Sequence, residues 1–102
     1  MNTVFVEWVN LKKESFENDG VNTDDINVAA NNVNPSVAVD YSSQSCIGRV
    51  SVWQSGLMDI EILHIDTEER LLFEHHQLDG IPDFDKILKK YHTIMVMGKM
   101  VK

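Results

Sequence analysis

Two periods of apolar residues divide the chain into three parts. Over residues 3 to 18 the spacing is helical: Val4, Trp8, Leu11 and Ser15 fall at i, i+4, i+7 and i+11, with Phe5, Val9 and Phe16 widening the stripe. Glu7, Lys13, Glu14 and Glu17 fill the opposite side, Thr3 or Asn2 suits the cap, and Asn18-Asp19-Gly20 stops the helix. From Ser36 to Gln77 the period is two. Val37, Val39 and Tyr41, then Val50 and Val52, then Ile60 and Ile62, then Leu71 and Phe73 alternate with polar or outward positions. Four half-buried strands are predicted, with turns at Ser55-Gly56 and Asp66-Thr67-Glu68-Glu69. After Gly80-Ile81-Pro82 the helical period returns with Phe84, Ile87, Leu88 and Tyr91, up to Gly98. Pro82 suits the first helical position, and Asp83 and Asp85 suit the positive end of the helix dipole.

Residues 20–35 carry Asn22, Asn27, Asn31, Asn32 and Asn34 before Pro35 and read as a loop. A loop this long either hides a turn of helix after Thr23 or carries function. The expected architecture is a single α+β domain over residues 1–102. It has a four-stranded, mainly antiparallel sheet with an N-terminal and a C-terminal helix packed on one face.

One covered face leaves one open face. The apolar strand positions go under the helices, and the open face is expected to hold Asp40, Arg49, Ser51, Trp53, Asp59, Glu61, Glu74 and His76. With a three-residue loop Ser55–Leu57 and a second turn centred on Thr67-Glu68, Trp53, Asp59 and His76 form one row. Ser51, Glu61 and Glu74 form the next, which sets Glu61 opposite Glu74. Like charges across a strand pair are destabilising unless a cation compensates them. Such carboxylates can also simply solvate a wet face, but a tryptophan among them has the character of an interface anchor.

Charge sharpens this picture. The formal net charge of −7 disfavours phosphate backbones, so nucleic acid is not the expected partner and a basic protein surface is. Cys46 is the one cysteine, which excludes an internal disulfide and suggests a small packed hydrophobe. Glu7 interrupts Val4–Val9, Lys12 and Lys13 follow that run, and no apolar stretch nears the ~18 residues of a membrane span. A cytoplasmic protein without membrane contact is expected.

Chemistry-bearing motifs are sparse. No phosphate-binding glycine loop, HExxH, CxxC or GxSxG occurs. His75 and His76 are strand neighbours that point to opposite faces, and Asp24-Asp25 lacks the glycine and glutamate of a calcium loop. Neither a metal nor a cofactor is expected. Asp59 with His76, or the carboxylates together, lack a placed nucleophile or a desolvating pocket, so no catalytic residues are assigned.

The stretch Gly48-Arg49-Val50-Ser51-Val52-Trp53-Gln54-Ser55-Gly56, then Asp59-Ile60-Glu61-Ile62, then Phe73-Glu74-His75-His76 before a helix, resembles the TriTu family of bacterial immunity proteins. The resemblance covers roughly the second half of the chain. It implies a non-enzymatic cytoplasmic antidote to an Rhs-type toxin of type VI secretion, whose C-terminal domain is an ADP-ribosyltransferase acting on elongation factor Tu. The antidote would block that domain stoichiometrically as a monomer or 1:1 heterodimer and bind no NAD. Trp53, Asp59, Glu61 and Glu74 are the expected contacts, with Asp40 and His76 at the periphery. Two competing expectations are a small enzyme or ligand-binding domain whose pocket is lined by Tyr41, Trp53 and His76 beneath the Asn-rich loop, and an oligomer built through Met95, Met97 and Met100.

Overall fold

The computed structural model describes residues 1–30 and 33–100. Helix α1 (Asn2–Asn18) is followed by strands β1 (Asn22–Ala29), β2 (Ser36–Ser42), β3 (Cys46–Trp53), β4 (Leu57–His64) and β5 (Arg70–Gln77). Two helices, α2 (Phe84–Ile87) and α3 (Lys89–Met97), close the chain. The five strands make one antiparallel meander in the order β1-β2-β3-β4-β5. The α+β class and the two helical ends are as expected, but the sheet has five strands, not four.

The added strand is β1, inside the stretch read as a loop, and no helical turn follows Thr23. Asn and Asp favour turns locally, yet Ile26 and Val28 pair with Val39 and Val37 of β2. Strand preference is set by packing against neighbours, and an edge strand tolerates the polar residues between them. Asp24 is the extra residue of a bulge, since Thr23 pairs with Tyr41 and Asp25 already with Asp40. Asn31 and Asn32 lie outside the described residues.

The buried stripe of α1 is not the expected one. Phe5, Val9 and Phe16 are buried, whereas Leu11 is 77% exposed and Val4 is exposed too. Apolar residues occupy so much of the first two turns that several stripes are possible, and the one with two phenylalanines buries the most area. Met1, not Asn2 or Thr3, is the N-cap, without a side-chain cap. At the other end Gly20 adopts φ +86, and the Gly20 and Val21 amides donate to Glu17 and Phe16 carbonyls.

The C-terminal helical stretch starts later than Pro82. Asp83 is its N-cap, its carboxylate accepting from the Lys86 amide at 3.2 Å. Leu88, at φ −98 and ψ 10, separates α2 from α3. Gly98 ends α3 in the left-handed conformation, as its position in the sequence suggests.

Both chain ends pack on the same sheet face. Phe5, Val9 and Phe16 join Phe84, Leu88, Tyr91, Ile94 and Met95 over Val37, Val39, Tyr41, Cys46, Val50, Val52, Met58, Ile60 and Ile62. Phe5 meets Phe84 with ring centroids 5.3 Å apart. Trp8 Nε1 donates to Asp85 Oδ1 at 3.1 Å, and Lys12 Nζ lies 2.9 Å from the same oxygen. These contacts hold the Asp85 carboxyl below its usual range, the Lys12 hydrogen bond first and the Trp8 bond second.

Tyr91 lies at the centre of this layer, its hydroxyl buried without a hydrogen-bond partner among the described residues and its pKa pushed well up by burial. The hydroxyl stands where a side chain on Gly48 would be. A methyl added at Gly48 would overlap it and also press on the Glu61 carbonyl and the Met95 sulfur. Gly48→Ala is therefore expected to destabilise the fold by about 1–3 kcal/mol, the usual range for overpacking. In a Tyr91→Phe background, which removes the hydroxyl, thermal unfolding should show most of that loss recovered.

Candidate partner-binding face

Residues paired directly across strands share a face, so the register fixes what the open side presents. Its four rungs run across the strands. The first joins Ala29, Ser36 and Trp53 and is continued on the same face by the β4–β5 pair Leu57 and Gln77. The second is Asn27, Ala38, Ser51, Asp59 and His75. The third is Asp25, Asp40, Arg49, Glu61 and Phe73, and the fourth Asn22, Ser42, Ile47, Leu63 and Arg70. Among the described residues no helix packs on this side, because every buried residue of α1, α2 and α3 belongs to the core over the other face.

Of the six residues singled out from sequence, Trp53, Asp59, Glu61 and Asp40 are on this face, and Glu74 and His76 are not. Glu74 pairs with Ile60 and His76 with Met58, on the helix-covered side. The cause is a bulge. Leu63 pairs with Arg70 and Ile62 with Leu72, which leaves Leu71 as an extra residue. One inserted residue inverts every later side chain of a period-two strand. Phe73, expected in the core, is 46% exposed on the open face, and Leu71 and Leu72 both pack inward. Phe73 and His75 are thus site residues that the alternation missed; the double leucine is the signal that could have revealed them.

The predicted pairings change accordingly. The β3–β4 turn closes with the Gly56 amide on the Trp53 carbonyl, and Gly56 takes φ +99. Ser51 consequently pairs with Asp59 and Arg49 with Glu61, not Trp53 with Asp59 and Ser51 with Glu61. Glu61 faces Phe73 and Asp59 faces His75, so the expected like-charge pair of Glu61 with Glu74 does not form. The like-charge pair that exists is Asp25 opposite Asp40.

Cations compensate part of this acidity. Arg49 donates twice to Asp40, Nε to Oδ1 at 2.7 Å and Nη2 to Oδ2 at 3.2 Å. That pairing raises the Arg49 pKa, with Asp25 and Glu61 adding to the effect. Arg70 Nε lies 3.4 Å from Glu61 Oε2, and its guanidinium covers the Phe73 ring at 4.5 Å. His75 Nδ1 contacts Asp59 Oδ1 and stands edge-on to Phe73.

Trp53 is half-buried at the end of the face. The segment before β2 secures the adjoining turn: Asn34 Nδ2 donates to Ser55 Oγ, the Ser55 amide donates to Asn34 Oδ1, and the Gln54 amide donates to the Pro35 carbonyl. Exposed Ile47 and Leu57, with Phe73, add apolar surface among the charges.

The sheet separates Trp53 from Tyr41 and His76, which face the helices, so these three residues do not line one pocket. Of the methionines proposed for an oligomer, Met95 is buried in the core and only Met97 and Met100 are exposed. Cys46 is fully buried, and burial pushes its thiol pKa up. His75 and His76 do point to opposite faces. No helix is long and apolar enough to cross a membrane among the described residues.

A sheet clothed by helices on one side, with carboxylates, guanidinia and aromatic rings bare on the other, defines a binding domain more readily than an active-site cleft. Residues 3–94 match the family described as immunity protein TriTu, and the chain belongs to that family. The match bears out the resemblance read from Gly48–His76 and extends it over α1 and β1. No curated protein matches the chain. Membership carries an immunity role, exercised through binding a cognate toxin, and suggests a non-enzymatic mode of action.

Glu74 now has a structural account of its own. Lys90 of α3 donates to its carboxylate, and His76 Nε2 lies 3.1 Å from Oε1. The Lys90 bond is the main reason its pKa falls below the ordinary 4.5, with His76 assisting against burial. A depressed carboxyl stabilises the fold above its unfolded value, and that contribution is lost as pH falls through the folded one. Glu74→Gln should therefore lower stability by about 1 kcal/mol or less at neutral pH, as a partly exposed pair does. Urea titrations should show the difference shrinking as pH falls below the unfolded carboxyl's ordinary 4.5 and vanishing once the native carboxyl is itself protonated.

Proposed function

We propose that this protein is a cytoplasmic antidote that neutralises the toxin of its own cell by covering it with the open sheet face. The observation that carries this reading is the face itself, on which Trp53, Phe73, Ile47 and Leu57 stand among Asp25, Asp40, Asp59 and Glu61 with no helix or strand of the described residues packed over them. Aromatic anchors within a charged field are how tight protein interfaces combine affinity with fast association. The chain is acidic overall, which suits a basic toxin surface.

In this reading the toxin is the C-terminal ADP-ribosyltransferase domain of an Rhs-type protein, as the family resemblance implies, and inhibition is by 1:1 blocking. Trp53, Asp59, Glu61 and Asp40 form the contact set with Phe73 and His75, whereas Glu74 and His76 belong to the helix side and take no part.

The face can be tested against its reverse. Trp53→Ala combined with Asp59→Lys should weaken binding of the toxin domain by calorimetry on the order of 100-fold or more, hot-spot behaviour of roughly 3 kcal/mol. Glu74→Ala with His76→Ala, on the other side of the sheet, should leave toxin affinity within about threefold, the scatter of a surface without contacts. Equal affinities for both double variants would discard the site.

A further inference from the structure

The open face is not uniform. Around its third and fourth rungs lies a depression of about 340 Å³, lined by Asp24, Asp40, Arg49, Glu61, Ile47 and Leu63, with the Tyr41 and Gly48 backbone positions between them. The β1 bulge places Asp24 at its border. Ile47, 49% exposed, and Leu63 supply apolar wall on the rung beside the carboxylates. Near it stand Asp24, Asp25, Asp40 and Glu61 against Arg49 and Arg70, an excess of two negative charges from these six groups.

We propose, resting on the reading of this face as the toxin-binding surface, that the depression is the socket for an arginine side chain of the toxin. Apolar walls suit the aliphatic stem of such a residue, and carboxylates on two sides suit its head. The face already holds guanidinia in this manner. Arg49 is bound bidentately by Asp40, and Arg70 lies between the Glu61 carboxylate and the Phe73 ring. Those two arginines leave Asp24 and Asp25 without an ion pair among the described residues. Glu61 presents Oε2 to Arg70, so its other oxygen remains for a second donor. A guanidinium is preferred to an ammonium here because its planar fork meets two acceptors at once and sheds water more readily. Arg49 has a second task in this arrangement. Fixed on Asp40, it holds that carboxylate in place and stands as one wall instead of filling the socket.

The test uses the intact protein and the cognate toxin domain. Asp24→Asn with Glu61→Gln should weaken binding at least 30-fold and flatten its salt dependence, and Ile47→Ser should weaken it several-fold. Replacing each toxin arginine by alanine should then find one whose loss weakens the wild-type complex 30-fold or more. The same replacement should cost the Asp24→Asn, Glu61→Gln complex less than threefold, because the interaction is already gone. Circular dichroism melts confirm that the variants are folded. If no toxin arginine couples to this pair while Trp53→Ala still abolishes binding, the socket is wrong and the open-face reading stands. If Trp53→Ala, Asp59→Lys and the socket variant all bind as wild type does, the open-face reading itself falls.

Discussion

The two ends of the chain have to meet over a single sheet face. Residues 5 to 16 and 84 to 95 are far apart in sequence, yet Phe5 lies on Phe84, Trp8 on Asp85 and Phe16 on His92, and between them they seal the strands beneath. A five-stranded sheet has two faces, and these helices suffice for one. Everything notable about the other face follows from that shortage. It must be polar enough to stand in water, and it is free to be shaped by something outside the chain.

Tyr91 and Gly48 show how tightly the covered side is fitted. A phenol ring is accommodated only because the strand beneath it lacks a side chain at one position. The hydroxyl gains no hydrogen bond there, so the ring contributes by packing, and its polar atom is a cost borne by the core. Gly48 lies in β3, with Ile47 and Arg49 beside it on the open side. The fit of the core therefore sets the backbone that carries the candidate interface.

Much of this was legible from the chain. The helical ends, the antiparallel strands, the one-sided core, the buried cysteine and the opposed histidines all follow from periodicity, because burial on one face imposes it. Trp53, Asp59, Glu61 and Asp40 could be placed outward on the same ground. Two features were hidden for distinct reasons. Strand β1 is an edge strand whose neighbours outweigh the turn preference of its Asn and Asp residues. In β5 the alternation is real, but Leu71 resets its phase, and nothing in a count of alternating residues announces where a phase is reset. A two-residue slip in the β3–β4 pairing arose separately, at the turn, since several turns fit Gln54-Ser55-Gly56-Leu57.

That bulge also bears on how such a protein diverges. Point substitutions alter a surface one side chain at a time. Deleting the extra residue near Leu71 would alter none of it: Arg70 would remain opposite Leu63 and Leu72 opposite Ile62 in an unbroken ladder, with Phe73 and His75 still outward. The fold would lose one buried leucine and keep its outer row. In that position the chain can gain or lose a residue while the face it presents is kept, so length can vary in this family without disturbing the candidate interface.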